Sequence, residues 1–542
     1  MRGRAGRTVA VQGTATGSRT LVEMFHRRVE RSRGQPALRH KAGPELERPD
    51  REGRTTVPLA DVLPDGSPVR DWVLSLDELR ERGRVLLARA PLRLAAIADD
   101  LDPQQAATII YTSGTTGMPK GVVLTHANLV FECGAVEDLL DLGEADEQLL
   151  FLPLAHSLAR SILWAGVAIG FITSVAESTA ALPANLGEVR PTFLVAVPRI
   201  LEKAHARVQS NLEAARKQPV ARRAVNWALA HGRERAGNGR RRLARITDRL
   251  ADVLLFERVR GVFGGRVRFF ISGGAPLAPD IAEFFHIAGI TVLEGYGLTE
   301  TCGAATCTRP DAVRFGAVGQ PLPGVELRIA SDGEILIRGG NVMKGYFNCP
   351  EATAEVLDQE GWFHTGDIGH IDDQGRLTIT DRKKDIIVTA GGKNVAPQNL
   401  ENELKAGCPL VSQAVVVGDR RKYLVALVTL SADTARDWAA AGRLPGAADL
   451  VGDMERFCRH PEVVGAIKGC VDQLNRKLPS YETIKRFAIL PTDFTQESGE
   501  LTPSLKVKRK VVVERHVGQI ERLYRDEGPS RPAPAETTAR PE

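Results

Sequence analysis

The chain has 542 residues, 43% of them hydrophobic, so it can bury a large core and divide into three or four folding units of about 150 residues. Its 72 Lys and Arg against 67 Asp and Glu leave a net charge of +5, too weak at this length to point to nucleic acid. Seven scattered cysteines without a CxxC pair argue against a zinc site and a disulfide framework; with no apolar h-region in residues 1–20, a reducing cytoplasm is expected.

Residues 1–20 carry arginines and small residues and predict disorder. Leu21, Met24, Phe25 and Val29 give residues 21–41 a helical period. Residues 42–70, rich in Pro, Gly, Asp and Glu, hold no pattern. From Ala106 short apolar runs recur at 107–111, 149–154, 171–175, 193–197, 267–271 and 290–293, with helical patterns between several of them. Such alternation predicts a parallel α/β sheet. The longest apolar stretch, 161–175, carries Gly166 and Gly170 and is too short to span a bilayer; it reads as a core helix followed by a strand. Residues 216–249 hold eleven Lys/Arg against Glu234 and Asp248, a local charge of +9. That is a solvated helical face, or one drawn to an anionic membrane or to cofactor phosphates. After Gly316 the pattern turns to paired strands: 325–329 and 334–338 flank Ser331-Asp332-Gly333 as a hairpin, and 376–380 is another short strand. A smaller α+β unit is expected from Arg382, with strands at 413–417 and 424–430, and then a disordered tail.

The run Thr112-Ser113-Gly114-Thr115-Thr116-Gly117-Met118-Pro119-Lys120-Gly121 follows the strand expected at 107–111. Its glycines let the backbone turn sharply and bring N–H groups close to an anion. The hydroxyls of Thr112, Ser113, Thr115 and Thr116 add donors for phosphate oxygens, and Lys120 adds a positive charge. The spacing is not GxxxxGK[ST], so this is not a Walker loop.

Further motifs follow in order. They are Leu152-Pro153-Leu154-Ala155-His156-Ser157, Ser272-Gly273-Gly274-Ala275-Pro276-Leu277 and Glu294-Gly295-Tyr296-Gly297-Leu298-Thr299-Glu300-Thr301. Then come Gly361-Trp362-Phe363-His364-Thr365-Gly366-Asp367-Ile368-Gly369 and Asp381-Arg382-Lys383-Lys384-Asp385. Together with the loop they resemble the ANL adenylate-forming superfamily, and the His156 and Trp362 segments resemble its long-chain fatty acyl-CoA synthetases. The resemblance covers about residues 106–515. It implies an α/β fold with a large adenylate-forming domain of mixed sheets and helices (106–380), behind an N-terminal segment (1–105). A smaller, mobile α+β lid (382–525) and a disordered tail (526–542) complete the expected organisation.

The activity that the resemblance implies joins a medium- to long-chain fatty acid to coenzyme A. The carboxylate attacks the α-phosphate of ATP, giving acyl-adenylate and pyrophosphate; the coenzyme A thiol then displaces AMP. Bringing one anion to another needs positive charge and fixed geometry. Glu300 is expected to bind Mg²⁺, which takes hard oxygen ligands such as one carboxylate plus substrate phosphates. Thr299 beside it then touches the α-phosphate. Gly274, Ala275, Glu294, Tyr296 and Gly297 are expected around the nucleotide, Tyr296 offering adenine a flat face. Asp367 can accept both ribose hydroxyls, and Arg382 can donate to ribose or phosphate. His156 is expected on the acyl-site wall, facing the approach of the carboxylate or thiol. The stretch from Leu501 to Lys510 resembles the segment that carries the family's catalytic lysine. Lys506 is the first choice and Lys508 the alternate, while the Gly-Lys form seen elsewhere aligns nearer Ser504. Asp381 resembles the hinge about which the lid turns to present Gly391, Gly392 and Lys393 to coenzyme A.

The pattern departs from the family in one place. Residues 36–41 resemble the start of the N-terminal α/β region and 73–79 its end, but what lies between is polar and short. A missing block is expected to leave strand edges and apolar surface uncovered. Two further readings stay open: a feeble or inactive nucleotide-binding paralogue, and an acyl-adenylate former that loads a carrier protein. The expected partners are fatty acid and coenzyme A and no nucleic acid, with peripheral contact at the inner face of the membrane allowed by the basic segment.

Overall fold

The computed structural model describes residues 17–31, 38–40, 76–112, 119–216, 219–238, 251–430, 432–439, 452–502 and 506–525. The disorder expected at 1–16 and 526–542, the patternless stretch 42–70, the loop residues Ser113–Met118, the basic residues 239–250 and Ser504 lie outside the described residues.

The first ten strands are β1 (Leu38–His40), β2 (Ala106–Thr112), β3 (Lys120–Thr125), β4 (Glu147–Leu150), β5 (Ile172–Val175), β6 (Phe193–Ala196), β7 (Phe269–Ser272), β8 (Thr291–Tyr296), β9 (Thr306–Cys307) and β10 (Gln320–Pro321). Eight of them form one sheet in the order β1-β5-β4-β6-β7-β8-β9-β10. The strands from β1 to β8 in that order are parallel, and β9 and β10 close the sheet antiparallel. All four residues of β6 are buried, as they must be when helices cover both faces. The helix Ser157–Ile169 links β4 to β5 and stops at Gly170, whose φ of 103° supplies the left-handed cap. This is the helix-then-strand expected at 161–175. Against the opposite face Phe270 of β7 meets the rings of Phe263 and Phe285 edge-on at 4.8 and 5.4 Å.

Two sequence expectations change. The run at 107–111 is not in the parallel sheet; β2 pairs antiparallel with β3 in a separate three-stranded sheet. An apolar run of that length looks the same in either setting, and only the pairing partner distinguishes them. The helical period at 21–41 holds only for Leu21–Arg31, because Leu38–His40 pairs with β5 as the sheet's edge.

A four-stranded antiparallel sheet follows, including the hairpin Val325–Ile329/Glu334–Gly339 and the pair Phe363–Ile371/Leu377–Arg382. The C-terminal part has its own three-stranded sheet, Val411–Val417, Leu424–Leu430 and Ile484–Leu490, with every residue of the middle strand buried. The helices Pro397–Gly407 and Pro461–Asn475 pack on it through Leu400, Leu404, Val463 and Ile467.

Apolar side chains are exposed among the described residues just before β2. The helices Leu76–Arg89 and Arg93–Asp99 expose Leu79, Leu86, Leu94 and Ile97, and Leu92 between them is exposed by 79%. Among the described residues no helix is long and apolar enough to cross a membrane.

Phe270 is fully buried, so Phe270→Ala should cost about 3–5 kcal/mol through the cavity it leaves. The check is the urea midpoint of the transition that reports the large domain; a change below about 1 kcal/mol would contradict this packing.

Candidate active site

Three segments leave the carboxyl ends of neighbouring parallel strands: Val197–Pro198 after β6, Gly273–Leu277 after β7 and Gly297–Leu298 after β8. They meet the C-terminal part across a cleft of about 810 Å³. The ends of parallel strands are where α/β sheets bind ligands, because side chains and loop N–H groups converge there. Gly274, Ala275, Glu294, Tyr296, Gly297, Asp367, Arg382 and Lys506 all line this cleft.

Asp367 and Arg382 are 15 positions apart in sequence, yet their Cα atoms are paired across the hairpin Phe363–Ile371/Leu377–Arg382. Arg382 Nε lies 3.2 Å from Asp367 Oδ1, and the Tyr296 hydroxyl donates to Asp367 Oδ2 at 2.7 Å. Burial raises the Asp367 carboxyl above its usual range, with Arg382 and the Tyr296 hydroxyl acting against it. The Tyr296 hydroxyl thus fixes the carboxylate in place. Each carboxylate oxygen accepts more than one bond, so Asp367 can still take ribose hydroxyls.

Thr299 and Glu300 sit on a single 3-10 turn, Thr299–Thr301, which ends at Cys302 with a φ of 62°. The turn is tightly held. A Cβ on Gly297 would stand 2.4 Å from the Gly303 carbonyl oxygen, so no larger residue fits there. No local motif points to Tyr346, whose hydroxyl donates to Glu300 Oε1 at 2.9 Å. Lys120 Nζ stands 5.0 Å from the centre of the Tyr346 ring. Lys120 itself is the Cα partner of Thr112, so the two ends of the Ser113–Met118 loop are pinned together beside Glu300's neighbour. Only the motif context of Lys120 and Glu300 was visible locally; Tyr346 comes from a strand, Gly345–Tyr346, that pairs with β3.

Glu294 is buried, and its carboxyl is pushed up to about 7 by burial despite backbone N–H bonds from Gly316 and Leu277. Those bonds tie together two loops of the cleft wall. His156 directly precedes the helix Ser157–Ile169 without a side-chain capping bond, and its Nε2 is buried without a partner among the described residues. Burial, then the charge of Lys506, lowers its pKa.

Lys506 reaches this group from the C-terminal part. Its Cε lies 3.8 Å from where a Cβ on Gly274 would sit. Surrounding protein pushes its ammonium down to about 8, with Arg382 adding to the effect and Asp367 and Glu300 opposing it. The residue as a whole nevertheless remains exposed to water. Lys508 is placed differently: its backbone N–H donates to Glu500 and it begins the helix Arg509–Arg515. Gly391, Gly392 and Lys393 are not brought to the cleft. They are exposed in the turn between Ile387–Val388 and Asn394–Val395, with Lys393 Nζ 5.9 Å from the Tyr481 ring centre. Asp381 is buried, accepts from the Arg382 and Gln398 backbone N–H groups, and is raised to about 6 by burial.

A cleft of this size at the strand ends, with a buried carboxylate in its wall and a cation delivered by a separate small domain, is the arrangement of an adenylate-forming enzyme. Residues 33–347 match the family model described as AMP-binding enzyme, and residues 384–528 match the AMP-binding enzyme C-terminal domain. The chain belongs to this AMP-binding enzyme family. It is 44% identical over 466 residues to the long-chain fatty acid–CoA ligase FadD15 of Mycobacterium bovis, covering 84% of this chain and 74% of that protein. It is 34% identical to the long-chain fatty acid–CoA ligase ACSBG2 of Xenopus laevis, covering 80% and 62%. Among solved structures it is similar to the adenylation domain of a Mycobacterium chelonae carboxylate reductase, with TM-score 0.60, 25% identity, and 83% and 68% of the two chains covered. It is also similar to Bacillus subtilis o-succinylbenzoate coenzyme A synthetase in complex with AMP, with TM-score 0.52, 25% identity, and 76% and 69% covered.

The lowered Lys506 ammonium is charged below pH about 8 and neutral above it. Reductive ¹³C-methylation followed by NMR should show one lysine titrating near pH 8, against about 10.4 for ordinary lysines. That signal should vanish in Lys506→Arg; its persistence there would assign the perturbed lysine elsewhere.

Proposed function

We propose that this chain activates medium- to long-chain fatty acids with ATP and passes the acyl group to coenzyme A, releasing pyrophosphate and then AMP. The observation that carries the reading is the meeting of Lys506, Arg382 and Asp367 in one cleft with the loops after β6, β7 and β8, the Glu300 turn following directly on Leu298 of its wall. The names of the ligase relatives support the acyl class and the acceptor.

In this reading Lys506 and Arg382 place two cations where a carboxylate and an α-phosphate must approach each other. Fixed charges of this kind lower the barrier because they need no reorganisation at the moment of reaction. Asp367, steadied by Tyr296, holds the ribose, and Thr112, Ser113, Gly114, Thr115, Thr116, Gly117 and Lys120 hold phosphate. Neutral His156 faces the acyl carboxylate with its unpartnered Nε2 and adds no second positive charge beside Lys506. Among the described residues no cluster of three His, Cys, Asp or Glu could hold a metal alone. A single carboxylate is nevertheless what Mg²⁺ uses alongside substrate phosphates, so Glu300 fits the ion, which when bound neutralises phosphate charge. For the second half-reaction the lid turns about Asp381, which already joins the strand Leu377–Arg382 to the helix Pro397–Gly407. Gly391, Gly392 and Lys393 then replace Lys506 over the site and meet coenzyme A.

The test supplies ATP, Mg²⁺, palmitate and coenzyme A and follows pyrophosphate and acyl-CoA. Lys506→Ala should lower adenylation by about 10²–10³ or more while sparing thioester formation from supplied acyl-adenylate. Lys508→Ala should retain adenylation, and Glu300→Ala should lose its Mg²⁺ dependence together with its rate. Adenylation by the wild type should fall as pH rises through about 8, where Lys506 loses its proton. Equal loss in Lys508→Ala, or an unaffected Glu300→Ala, would overturn these assignments.

We further propose peripheral contact with anionic membrane through the helix Pro219–Asn238, on which Arg222, Arg223 and Trp227 are exposed. Sedimentation with phosphatidylglycerol vesicles at low salt should carry the protein down, and Arg222→Glu/Arg223→Glu should leave it in solution. Equal sedimentation of both would refute the contact.

A further inference from the structure

The lid's pose depends on what holds it against the large domain, and one helix supplies two cross-domain ion pairs. The helix Pro198–Arg216 starts two residues after β6, at the cleft wall. From its first turn Arg199 reaches into the C-terminal part. Its Nη1 donates to the Ser412 carbonyl at 3.3 Å, and its Nη2 donates to Ser412 Oγ at 3.2 Å and lies 3.5 Å from Asp493 Oδ2. Asp493 is itself held in place, since Ser412 and Thr429 both donate hydroxyl bonds to its carboxylate. Glu202, one turn further and on the same helical face, lies 3.6 Å from Lys405 Nζ on the helix Pro397–Gly407.

These are not fully exposed surface pairs. The side chains are exposed by only 16% and 27% for Arg199 and Asp493, and by 20% and 18% for Glu202 and Lys405. The lid partners lie on three separate elements: Lys405 on a helix, Ser412 on the strand Val411–Val417, and Asp493 just beyond the strand Ile484–Leu490. A rigid-body turn of the lid would break all of these contacts together, because its elements share one core. They exist in the pose that puts Lys506 in the cleft and leaves Gly391–Gly392–Lys393 outside it.

We propose that Arg199 and Glu202 form an electrostatic latch that selects the adenylating pose of the lid, so that both are positioning residues for the first half-reaction. The inference rests on the two-step reading given above. It follows that the latch must be weak enough to release after adenylate forms, and two partly hydrated ion pairs meet that need. A ligand-independent contact of this kind biases the population of one pose and has no reason to slow the step that uses the other.

The decisive experiment measures the half-reactions separately. Arg199→Ala should lower pyrophosphate release from ATP and fatty acid about tenfold, the size expected for losing one charge-assisted contact. Acyl-CoA formation from supplied acyl-adenylate should be unchanged or faster, which also reports that the variant is folded. Asp493→Asn, changed at the lid end, should shift the same ratio in the same direction, and Arg199→Lys should restore part of it. The double variant Arg199→Ala/Asp493→Asn should be no worse than Arg199→Ala alone. Equal loss in both half-reactions would overturn the latch. So would a loss in Arg199→Ala that Asp493→Asn does not reproduce, since Arg199 would then act on the nucleotide directly. Small-angle scattering of the ligand-free protein gives a readout that needs no turnover: the distance distribution should broaden in Arg199→Ala, and an unchanged distribution would overturn the latch. Wild-type protein that makes neither pyrophosphate nor acyl-CoA would overturn the proposed function instead, with scattering still deciding the latch.

Discussion

Everything in the site depends on gathering positive charge where two anions must meet. A carboxylate does not approach a triphosphate unaided, and the fold answers this by converging cations from distant parts of the chain. Arg382 comes from an antiparallel hairpin and Lys506 from the far end of the lid. Burial, and then the charge of Arg382, costs Lys506 part of its basicity and pushes its ammonium down to about 8. The arrangement makes sense only when an anionic ligand fills the cleft and restores the charge balance. The Asp367 carboxylate, raised by burial and steadied by Tyr296 and Arg382, is the counterweight that keeps the group together before a ligand arrives.

That cluster also explains the architecture. Parallel strands present their carboxyl ends on one edge of the sheet, so three successive loops reach one cleft without long excursions. The lid has a separate core, with Val428, Phe457 and Ile467 buried inside it, so it can move as a body. Asp381 accepts from the backbone N–H groups of Arg382, on its own strand, and of Gln398, on the helix Pro397–Gly407, and so ties that helix to the hairpin. The latch made by Arg199 and Glu202 sets which of two poses is occupied when no ligand decides the matter.

Much of the site was legible because its residues lie in short motifs. The runs around Gly274, Tyr296 and Asp367 sit at strand ends or on strands, where local sequence and position go together. What escaped local reading was pairing. Asp367 and Arg382 are Cα partners, and only the hairpin register reveals it. Tyr346 reaches Glu300 from a strand paired with β3, a contact across 46 positions. Arg199 and Ser412 are 213 positions apart, and nothing in either segment announces the other. The run at 107–111 joins a separate sheet for the same reason, since hydrophobicity marks a strand but not its neighbour. The choice between Lys506 and Lys508, two positions apart, also needed three dimensions: Lys506 lines the cleft, whereas Lys508 starts the helix Arg509–Arg515.

The central claim is that the gathered charge drives formation of an enzyme-bound acyl-adenylate before coenzyme A is needed. Exchange of labelled pyrophosphate into ATP measures that step alone. With a long-chain fatty acid and Mg²⁺ present and coenzyme A omitted, the wild type should exchange label, and omission of the acid should stop it. Absence of exchange until coenzyme A is added would contradict the two-step account.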